Sequence, residues 1–528
     1  MHRLTNTLLV FLLATSALFC APPAIAQQTT QVWPTRGWPV SSPEEQGMSS
    51  GQLTRLFDFG VRNDMDSVLV TRHGRIVLEA TYAPFSAGLK HRVYSVTKSV
   101  VSTLVGMALG DGLLDSIDRK VVDFFPGRTI ANLDDAKKAI TVRQLLDMTS
   151  GLGWTEGLSA AAESYGAMTR SPDWQQFILD HPMVSAPGTR FYYSSGNSHL
   201  LSAILRTVTG RSALDYAREK LFGPLGIDDV LWQADPQGVS GGGAGLYLQP
   251  RDMAKIGYLW LRGGMWEGRQ ILPAAWIEGV RAADVDMRES WARDLRYGRQ
   301  FWAMPLRDAF MAVGYHRQLI VVMPKLDIVA VVTGSSRFAN LNGMATTPRY
   351  GFGTLVDYLA AAVTSDSAIA ANPTATTELA ERVKAAAIEQ PAPVGVSEAP
   401  PIAKAVSGRT WRFDRNPMRI KSLILRLDGP QPSYEYELAD GPAGAPAGRF
   451  GGPIGFDGRL AVGGRLPYGP SAARGAWSAD GASLMLQIET LGNDDVVRAT
   501  LVFGDKTLDL SAEWAGGFKT KAQGRSED

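Results

Sequence analysis

Ser95 and Lys98 are the two residues whose types and spacing first suggest chemistry. They lie in the stretch HRVYSVTKSVVSTLVGMALGDG, three residues apart and ahead of a long apolar run. In a helix, residues three apart share a face, so the Lys98 amine would lie beside the Ser95 hydroxyl. Burial near the positive end of a helix disfavours the ammonium, and a neutral lysine can accept the serine proton. The competing interpretation is a helix-capping Ser95 followed by a solvated Lys98.

A second polar cluster precedes another apolar helix, in the stretch PGTRFYYSSGNSHLLSAILRTVTG. Its candidate site residues are Tyr193, Ser195 and Asn197. A tyrosine hydroxyl can relay a proton to a leaving group, and an asparagine amide can orient it. The same residues also suit an N-capping turn after an aromatic-rich strand.

The elements that must position these residues are strands at both ends of a mostly helical segment. Residues 66–82, DSVLVTRHGRIVLEATY, predict a β-hairpin. Residues 311–334, MAVGYHRQLIVVMPKLDIVAVVTG, predict a second hairpin divided at Pro324 and Lys325. Strands at both ends with helices between them predict an α+β domain, with an antiparallel sheet closed by the two end segments.

These stretches, in this order, resemble the serine β-lactamase-like hydrolases. The resemblance covers about residues 35–362 and rests on YSVTKS, ITVRQLLDMTSGL, PGTRFYYSSGNSHLLSAIL, GGGAGLYLQPRDMAKIGYLWLRGG and AVGYHRQLIVVMP. The chain is similar to the branch with class C β-lactamases, D-alanyl-D-alanine carboxypeptidases, certain esterases and nylon-oligomer hydrolases. The resemblance implies an antiparallel sheet flanked by helices, with a helical subdomain.

The resemblance also implies roles for the first two motifs. By position, Ser95 is the residue that is acylated and Lys98 assists as the base. Tyr193 takes the proton-relay role, in a Tyr-x-Ser-x-Asn pattern similar to that of nylon-oligomer hydrolases. Whether Ser195 or Asn197 replaces the usual asparagine stays open at this point.

The third motif of the family, Lys-Thr-Gly, is altered in this chain. Its positions match Ala312, Val313 and Gly314, so the cation that holds a substrate carboxylate is absent there. The resemblance implies that the next residue, Tyr315, donates its backbone N–H to the oxyanion. His316 is expected to line the pocket.

Composition and charge exclude several classes of partner. The chain has 53 Lys and Arg against 52 Asp and Glu, a net charge of +1, so nucleic acid is not expected as a partner. The six His residues show no paired ligand spacing, and Cys20 is the single cysteine, so we expect no metal and no cofactor. GGGAG lacks the Lys-Ser/Thr of a phosphate loop and predicts a tight turn. The oligomeric state is not predicted by any feature of the sequence.

The N-terminus has the pattern of a secretory signal peptide. A positive charge precedes an apolar block over residues 8–19, and Ala24 and Ala26 suit cleavage after Ala26. We therefore expect residues 1–26 to be removed and the rest to be secreted, into the periplasm, with no membrane span after cleavage. An uncleaved anchor and lipidation at Cys20 are the alternatives.

The composition changes after the predicted hydrolase domain, residues 35–362. Residues 365–405 are rich in Ala, Pro and Thr and predict a linker with one short helix. Residues 406–517 contain short β runs at regular spacing, which predict a small all-β domain, either a sandwich or a barrel.

The sequence thus predicts an exported serine hydrolase that cleaves a small-molecule ester or small amide through an acyl-enzyme on Ser95. Loss of the third-motif cation favours such substrates over β-lactams. The alternatives are a β-lactamase or D,D-peptidase acting on peptidoglycan-like substrates, and a non-hydrolytic, penicillin-recognising binding module.

Overall fold

The computed structural model describes residues 31–156, 164–287, 295–335, 352–391, 399–440, 446–493, 496–514 and 517–527. The predicted signal peptide, residues 1–26, lies outside the described residues. The described residues from Trp33 onward form a single compact unit. In the described ranges, no helix is both long and apolar enough to cross a bilayer.

The strands of the N-terminal part are β1 Met65–Arg72, β2 Arg75–Thr81, β3 His91–Arg92, β4 Leu231–Trp232, β5 Leu246–Leu248, β6 Met265–Trp266, β7 Arg269–Gln270, β8 Val285–Asp286, β9 Arg296–Gly298, β10 Phe301–Met304, β11 Ala309–Gly314, β12 Gln318–Met323 and β13 Ile328–Gly334. The helices are α1 Ser50–Arg62, α2 Val96–Gly110, α3 Asp135–Ala139, α4 Val142–Leu146, α5 Ser164–Arg170, α6 Trp174–Leu179, α7 Ser195–Thr209, α8 Ala213–Ala217, α9 Gly223–Leu225, α10 Pro250–Leu261, α11 Ala274–Arg281, α12 Phe352–Ala362, α13 Pro373–Ala386 and α14 Pro401–Val406.

An eight-stranded antiparallel sheet is the centre of the N-terminal part, in the order β2-β1-β13-β12-β11-β10-β9-β8. The pairing of β1 with β13 brings the two end segments of the domain together. One face of the sheet packs against α2 and α10, with α7 packed on the far side of α2, and the other face packs against α1, α12 and α13. The prediction of an antiparallel sheet flanked by helices is therefore confirmed.

The hairpin predicted over residues 311–334 contains three strands in the structure. A helical turn over Tyr315–Arg317 separates β11 from β12, and His316 and Arg317 have positive φ angles of 54° and 67°. Apolar residues flank this turn on both sides, so the sequence pattern predicts a single strand before Pro324. The break matters because it falls directly after the third motif.

The helix α2 lies at the centre of the domain because it is apolar on nearly all sides. Thirteen of its fifteen residues are buried, including Lys98. A helix without a polar face must be covered on all sides, and α2 packs between the sheet and α7. The residue before it, Ser95, is therefore held on a rigid element.

The C-terminal strands close into a barrel, which confirms the predicted all-β domain and makes it a barrel rather than a sandwich. Its strands are β14 Thr410–Phe413, β15 Ile420–Arg426, β16 Ser433–Leu438, β17 Gly448–Pro453, β18 Ala461–Leu466, β19 Gly469–Trp477, β20 Ser483–Thr490, β21 Val496–Phe503, β22 Thr507–Trp514 and β23 Lys519–Ser526. The segment predicted as a linker, residues 365–405, contains α13, which packs against α1 through the buried Leu379 and an ion pair between Arg382 and Asp58.

Candidate active site

Ser95 lies at the point where an extended segment turns into α2. The residue before it, Tyr94, has a positive φ of 45°, and Ser95 itself is the N-cap of the helix. Its side chain makes no capping hydrogen bond; instead its Oγ accepts one from Lys98 Nζ at 2.9 Å. The geometry therefore favours the paired interpretation of these two residues over a capping serine.

Lys98 is buried, with 1% of its side chain exposed. Its Nζ has three oxygen partners: Ser95 Oγ at 2.9 Å, Ser195 Oγ at 2.8 Å and the carbonyl oxygen of Gly243 at 2.8 Å. Burial lowers the pKa of Lys98 to about 8, although the nearby carboxylate of Glu156 acts to raise it. An amine with such a pKa is partly neutral near neutral pH and can accept a proton.

Tyr193 is on the other side of the same amine. Its hydroxyl is hydrogen-bonded to Ser95, and Lys98 Nζ lies 4.9 Å from the centre of its ring. Burial raises the pKa of the Tyr193 hydroxyl well above its usual range, so the hydroxyl keeps its proton. The three side chains thus form a compact cluster in which a proton can pass between neighbours.

Ser195 and Asn197 point in different directions from the start of α7. Ser195 Oγ contacts Lys98, whereas Asn197 Oδ1 accepts a hydrogen bond at 2.9 Å from Ser150 Oγ. Asn197 is 1% exposed and braces the loop that contains Ser150. The structure therefore places Ser195 in the cluster with Lys98 and Asn197 outside it. The sequence did not distinguish these two positions.

Glu156 belongs to this cluster, although no sequence motif identifies it. Its carboxylate accepts hydrogen bonds from the Ser195 hydroxyl, from the Ser195 backbone N–H at 2.9 Å and from Trp154 Nε1 at 2.5 Å. The Ser195 hydroxyl lies between Glu156 and Lys98. The Glu156 carboxylate and the Lys98 amine are therefore both hydrogen-bonded to the same hydroxyl. Only an acidic residue in a Gly-containing loop, GLGWTEG, signals it in the sequence.

The Gly-rich stretch over residues 241–245 is a tight turn that packs against α7. A Cβ on Gly242 would lie 2.0 Å from the carbonyl oxygen of Ser198, and one on Gly243 would lie 2.7 Å from Ser195 Cβ. The close packing of this turn against α7 therefore requires glycine at both positions. It also places the Gly243 carbonyl within hydrogen-bond distance of Lys98 Nζ. Behind the turn, the Gly242 N–H donates to Nδ1 of the buried His199 at 3.4 Å.

The third motif, Ala312 to Gly314, lies next to Ser95 although it contains no cation. Gly314 ends β11, and a Cβ there would lie 2.3 Å from the carbonyl oxygen of Val93 and 3.3 Å from the Ser95 amide nitrogen. Tyr315 follows at once, and its ring packs 5.6 Å from the ring of Tyr94.

His316 adds a second ring to this side of the site. It is 5% exposed, and its ring centre lies 5.8 Å from that of Tyr94 and 3.6 Å from that of Tyr315. Tyr94, Tyr315 and His316 therefore form an aromatic wall beside the segment that leads to Ser95. Among the described residues, no cluster of His, Cys, Asp or Glu has the size to hold a metal ion.

Comparison with known proteins gives a consistent family. Residues 61–349 match the family model described as Beta-lactamase. A 6-aminohexanoate-dimer hydrolase of Paenarthrobacter ureafaciens is 26% identical over 305 residues, covering 53% of this chain and 76% of that protein. Esterase EstB of Burkholderia gladioli is 26% identical over 201 residues, covering 34% of this chain and 50% of the esterase. A family VIII carboxylesterase of known crystal structure is 19% identical in sequence. The alignment covers 61% of this chain and 98% of the carboxylesterase chain, with a TM-score of 0.48.

Proposed function

Because this chain belongs to the β-lactamase family of serine hydrolases, we propose that it cleaves a small ester or amide through an acyl-enzyme on Ser95, with Lys98 as the general base. The single observation that carries this proposal is the 2.9 Å contact between Lys98 Nζ and Ser95 Oγ, made by a buried amine. A serine hydroxyl is a weak nucleophile until a neighbouring base takes its proton. A buried lysine of lowered pKa supplies such a base.

Acylation begins when neutral Lys98 accepts the Oγ proton as Ser95 bonds to the substrate carbonyl carbon. The carbonyl electron pair moves to oxygen, and the backbone N–H groups of Ser95 and Tyr315 stabilise the resulting oxyanion. The position of Gly314 against the Ser95 amide supports this arrangement, since Tyr315 continues directly from it.

The tetrahedral intermediate then collapses, and the bond to the leaving oxygen or nitrogen breaks. Tyr193 gives its proton to the leaving group and regains one from the Lys98 ammonium, so the proton taken from Ser95 leaves with the alcohol or amine. In the second half-reaction water attacks the acyl carbon, loses its proton to the same relay and releases the acid. Ser95 recovers its proton and Lys98 returns to the neutral state.

The substrate class follows from the third motif. Ala312 is buried and Val313 is half-buried, and both are apolar. The Lys-Thr-Gly motif of the family has a cation and a hydroxyl at these two positions. This chain therefore has no charge there to bind a substrate carboxylate. The names of the relatives, an esterase and a 6-aminohexanoate-dimer hydrolase, agree with an ester or amide as the bond cleaved. The proposed substrate is therefore a small ester or amide that needs no anion site at this strand.

Labelling of the nucleophile tests the proposal. The protein is treated with a fluorophosphonate probe, and the adduct is located by peptide mass spectrometry in the wild type and in Ser95→Ala. An adduct on Ser95, together with turnover of p-nitrophenyl esters that Ser95→Ala lacks, supports the hydrolase. No adduct and no turnover would favour a non-hydrolytic binding module, and turnover only of a chromogenic cephalosporin or a D-Ala-D-Ala peptide would move the function to the β-lactamase or D,D-peptidase class.

Export is part of the same proposal. The apolar block over residues 8–19 and the small residues Ala24 and Ala26 support cleavage after Ala26 and release into the periplasm. The N-terminal peptide of the protein recovered from a periplasmic fraction should begin at Gln27. A retained Met1 in the membrane fraction, or a lipid on Cys20, would contradict it.

A further inference from the structure

A turn of the C-terminal barrel contacts the strand that leads to the nucleophile. The turn, Leu491–Asn493, follows β20, and the carbonyl oxygen of Gly492 accepts a hydrogen bond from the Arg92 N–H at 2.7 Å. Arg92 belongs to β3, which pairs with β5 along its other edge. The turn therefore extends the hydrogen bonding of β3 with a backbone group from a different domain.

Burial makes this contact a packed interface. Phe85 and Leu89 of the hydrolase domain form one buried cluster with Leu460, Ala472 and Leu491 of the barrel, and each is less than 10% exposed. Burial of apolar surface on this scale resists separation of the two parts.

The turn also requires its glycine. Gly492 has a φ of 76°, and a Cβ there would lie 2.0 Å from the carbonyl oxygen of Lys90. A clash with backbone cannot be relieved by a rotamer change, so any larger residue must move the turn away from β3.

The strand that receives the turn is connected to the catalytic cluster in two ways. Along the chain, Arg92 is three residues before Ser95. Through space, the Arg92 guanidinium lies 4.9 Å above the ring of Tyr94, which in turn packs against Tyr315 and His316. A shift of β3 is thus transmitted both to the nucleophile and to the aromatic wall beside it.

We propose that the turn Leu491–Asn493 is a positioning element of the active site, through which the C-terminal barrel fixes the segment from Arg92 to Ser95. The inference rests on the proposed function, because it assigns the barrel a part in acylation of Ser95. Gly492 and Arg92 are positioning residues: they touch no reacting atom and act through the backbone of β3 and the ring of Tyr94. Displacement of a reacting group by about 1 Å is enough to slow a reaction by about 100-fold.

The test compares Gly492→Ala with Gly408→Ala. Gly408 is also in the C-terminal part and has a similar φ of 79°, but a Cβ there would meet nothing within 4 Å. We expect Gly492→Ala to lower the rate constant for acylation by a p-nitrophenyl ester about tenfold, with a much smaller change in KM. Hydrogen exchange in the peptide over residues 89–95 should become faster. Gly408→Ala should leave both quantities at the wild-type level.

Arg92→Lys serves as a milder variant, should Gly492→Ala not fold. It keeps the backbone hydrogen bond to Gly492 and the positive charge but loses the planar group, which lies above Tyr94 and is hydrogen-bonded to Tyr165. We expect a several-fold fall in the acylation rate constant, measured at matched folded fraction.

An active wild type together with unchanged acylation in both Gly492→Ala and Arg92→Lys would overturn the inference alone. A fall in rate that equals the unfolded fraction of each variant would also overturn it, since that result needs no positioning. A wild type that neither turns over esters nor reacts with the fluorophosphonate would instead overturn the proposed function, and the inference with it.

Discussion

The amine of Lys98 and the hydroxyl of Ser195, 97 residues apart in the chain, lie 2.8 Å from each other. Ser195 Oγ also donates to the carboxylate of Glu156, so one hydroxyl connects the proposed base to a negative charge. The connection explains how a lysine with 1% exposure is accommodated in the centre of the domain. It also suggests that the protonation of Lys98 is set by the balance between burial and the charge of Glu156.

Glu156→Gln should move the pH dependence of acylation toward lower pH. The Glu156 carboxylate stabilises the Lys98 ammonium, so its neutralisation lowers the pKa of Lys98 further, and the neutral base appears at a lower pH. The midpoint of the acylation rate against pH, measured for Glu156→Gln and for the exposed control Glu278→Gln, checks this. A midpoint that moves upward, or that moves equally in both variants, would contradict the assignment.

Tyr193→Phe should lower kcat by about 10²- to 10⁴-fold while KM changes little, because a proton donor is lost and the ring is kept. The ring packs against Tyr297 and Trp302, so the phenylalanine variant is expected to retain the wild-type melting temperature. Steady-state kinetics with an ester and an amide of the same acyl group provide the measurement. Activity close to the wild type with the amide, which has the poorer leaving group, would exclude Tyr193 as the relay.

Ser195→Ala and Asn197→Ala should separate catalysis from stability. Ser195→Ala removes a partner of Lys98 and should reduce kcat and shift the pH midpoint. Asn197→Ala removes the buried hydrogen bond to Ser150 and should lower the free energy of unfolding by about 1–3 kcal/mol. Urea denaturation and ester turnover are measured on both variants. A large fall in kcat for Asn197→Ala, with unchanged kcat for Ser195→Ala, would instead place Asn197 in the active site.

Gly243→Ala should abolish most activity, whereas Gly210→Ala should not. A Cβ on Gly243 would lie 2.7 Å from Ser195 Cβ, so the turn must move and take its carbonyl away from Lys98. Gly210 ends α7 with a positive φ of 70° and has nothing within 4 Å of its Cβ position, so its replacement costs only local strain. Equal turnover by the two variants, measured at matched folded fraction, would show that the Gly243 carbonyl is not needed.

Local spacing predicted the parts of the site that lie close together in sequence. Ser95 and Lys98 are one helical turn apart at the start of α2, so their spacing alone predicts that the two side chains meet. Tyr193 precedes a different helix, α7, and its proton-relay role beside Ser95 was implied only by the resemblance. The same reasoning could not choose between Ser195 and Asn197, since both stand in the first turn of α7 and their directions depend on what packs around that helix.

The contacts that the sequence did not predict are made by groups without a local signature. Glu156 approaches Ser195 from a loop 39 residues earlier, and its role is visible only once that loop is folded against α7. The carbonyl of Gly243 is a backbone group, so no side-chain pattern identifies it as a partner of Lys98. The turn at Gly492 belongs to a separate domain, and its backbone hydrogen bond to Arg92 produces no hydrophobic pattern in either sequence segment.

The most direct test of the central claim is the rate constant of Ser95 acylation under single-turnover conditions, measured from about pH 6 to about pH 10. With a pKa of about 8 for Lys98, the base is protonated at low pH and becomes available as the pH rises through that value. The rate should therefore increase about tenfold for each pH unit and level off above about 8, and the inflection should disappear in Lys98→Ala. A rate that is flat through pH 8, or that rises only near the ordinary lysine pKa of 10.5, would contradict Lys98 as the neutral base.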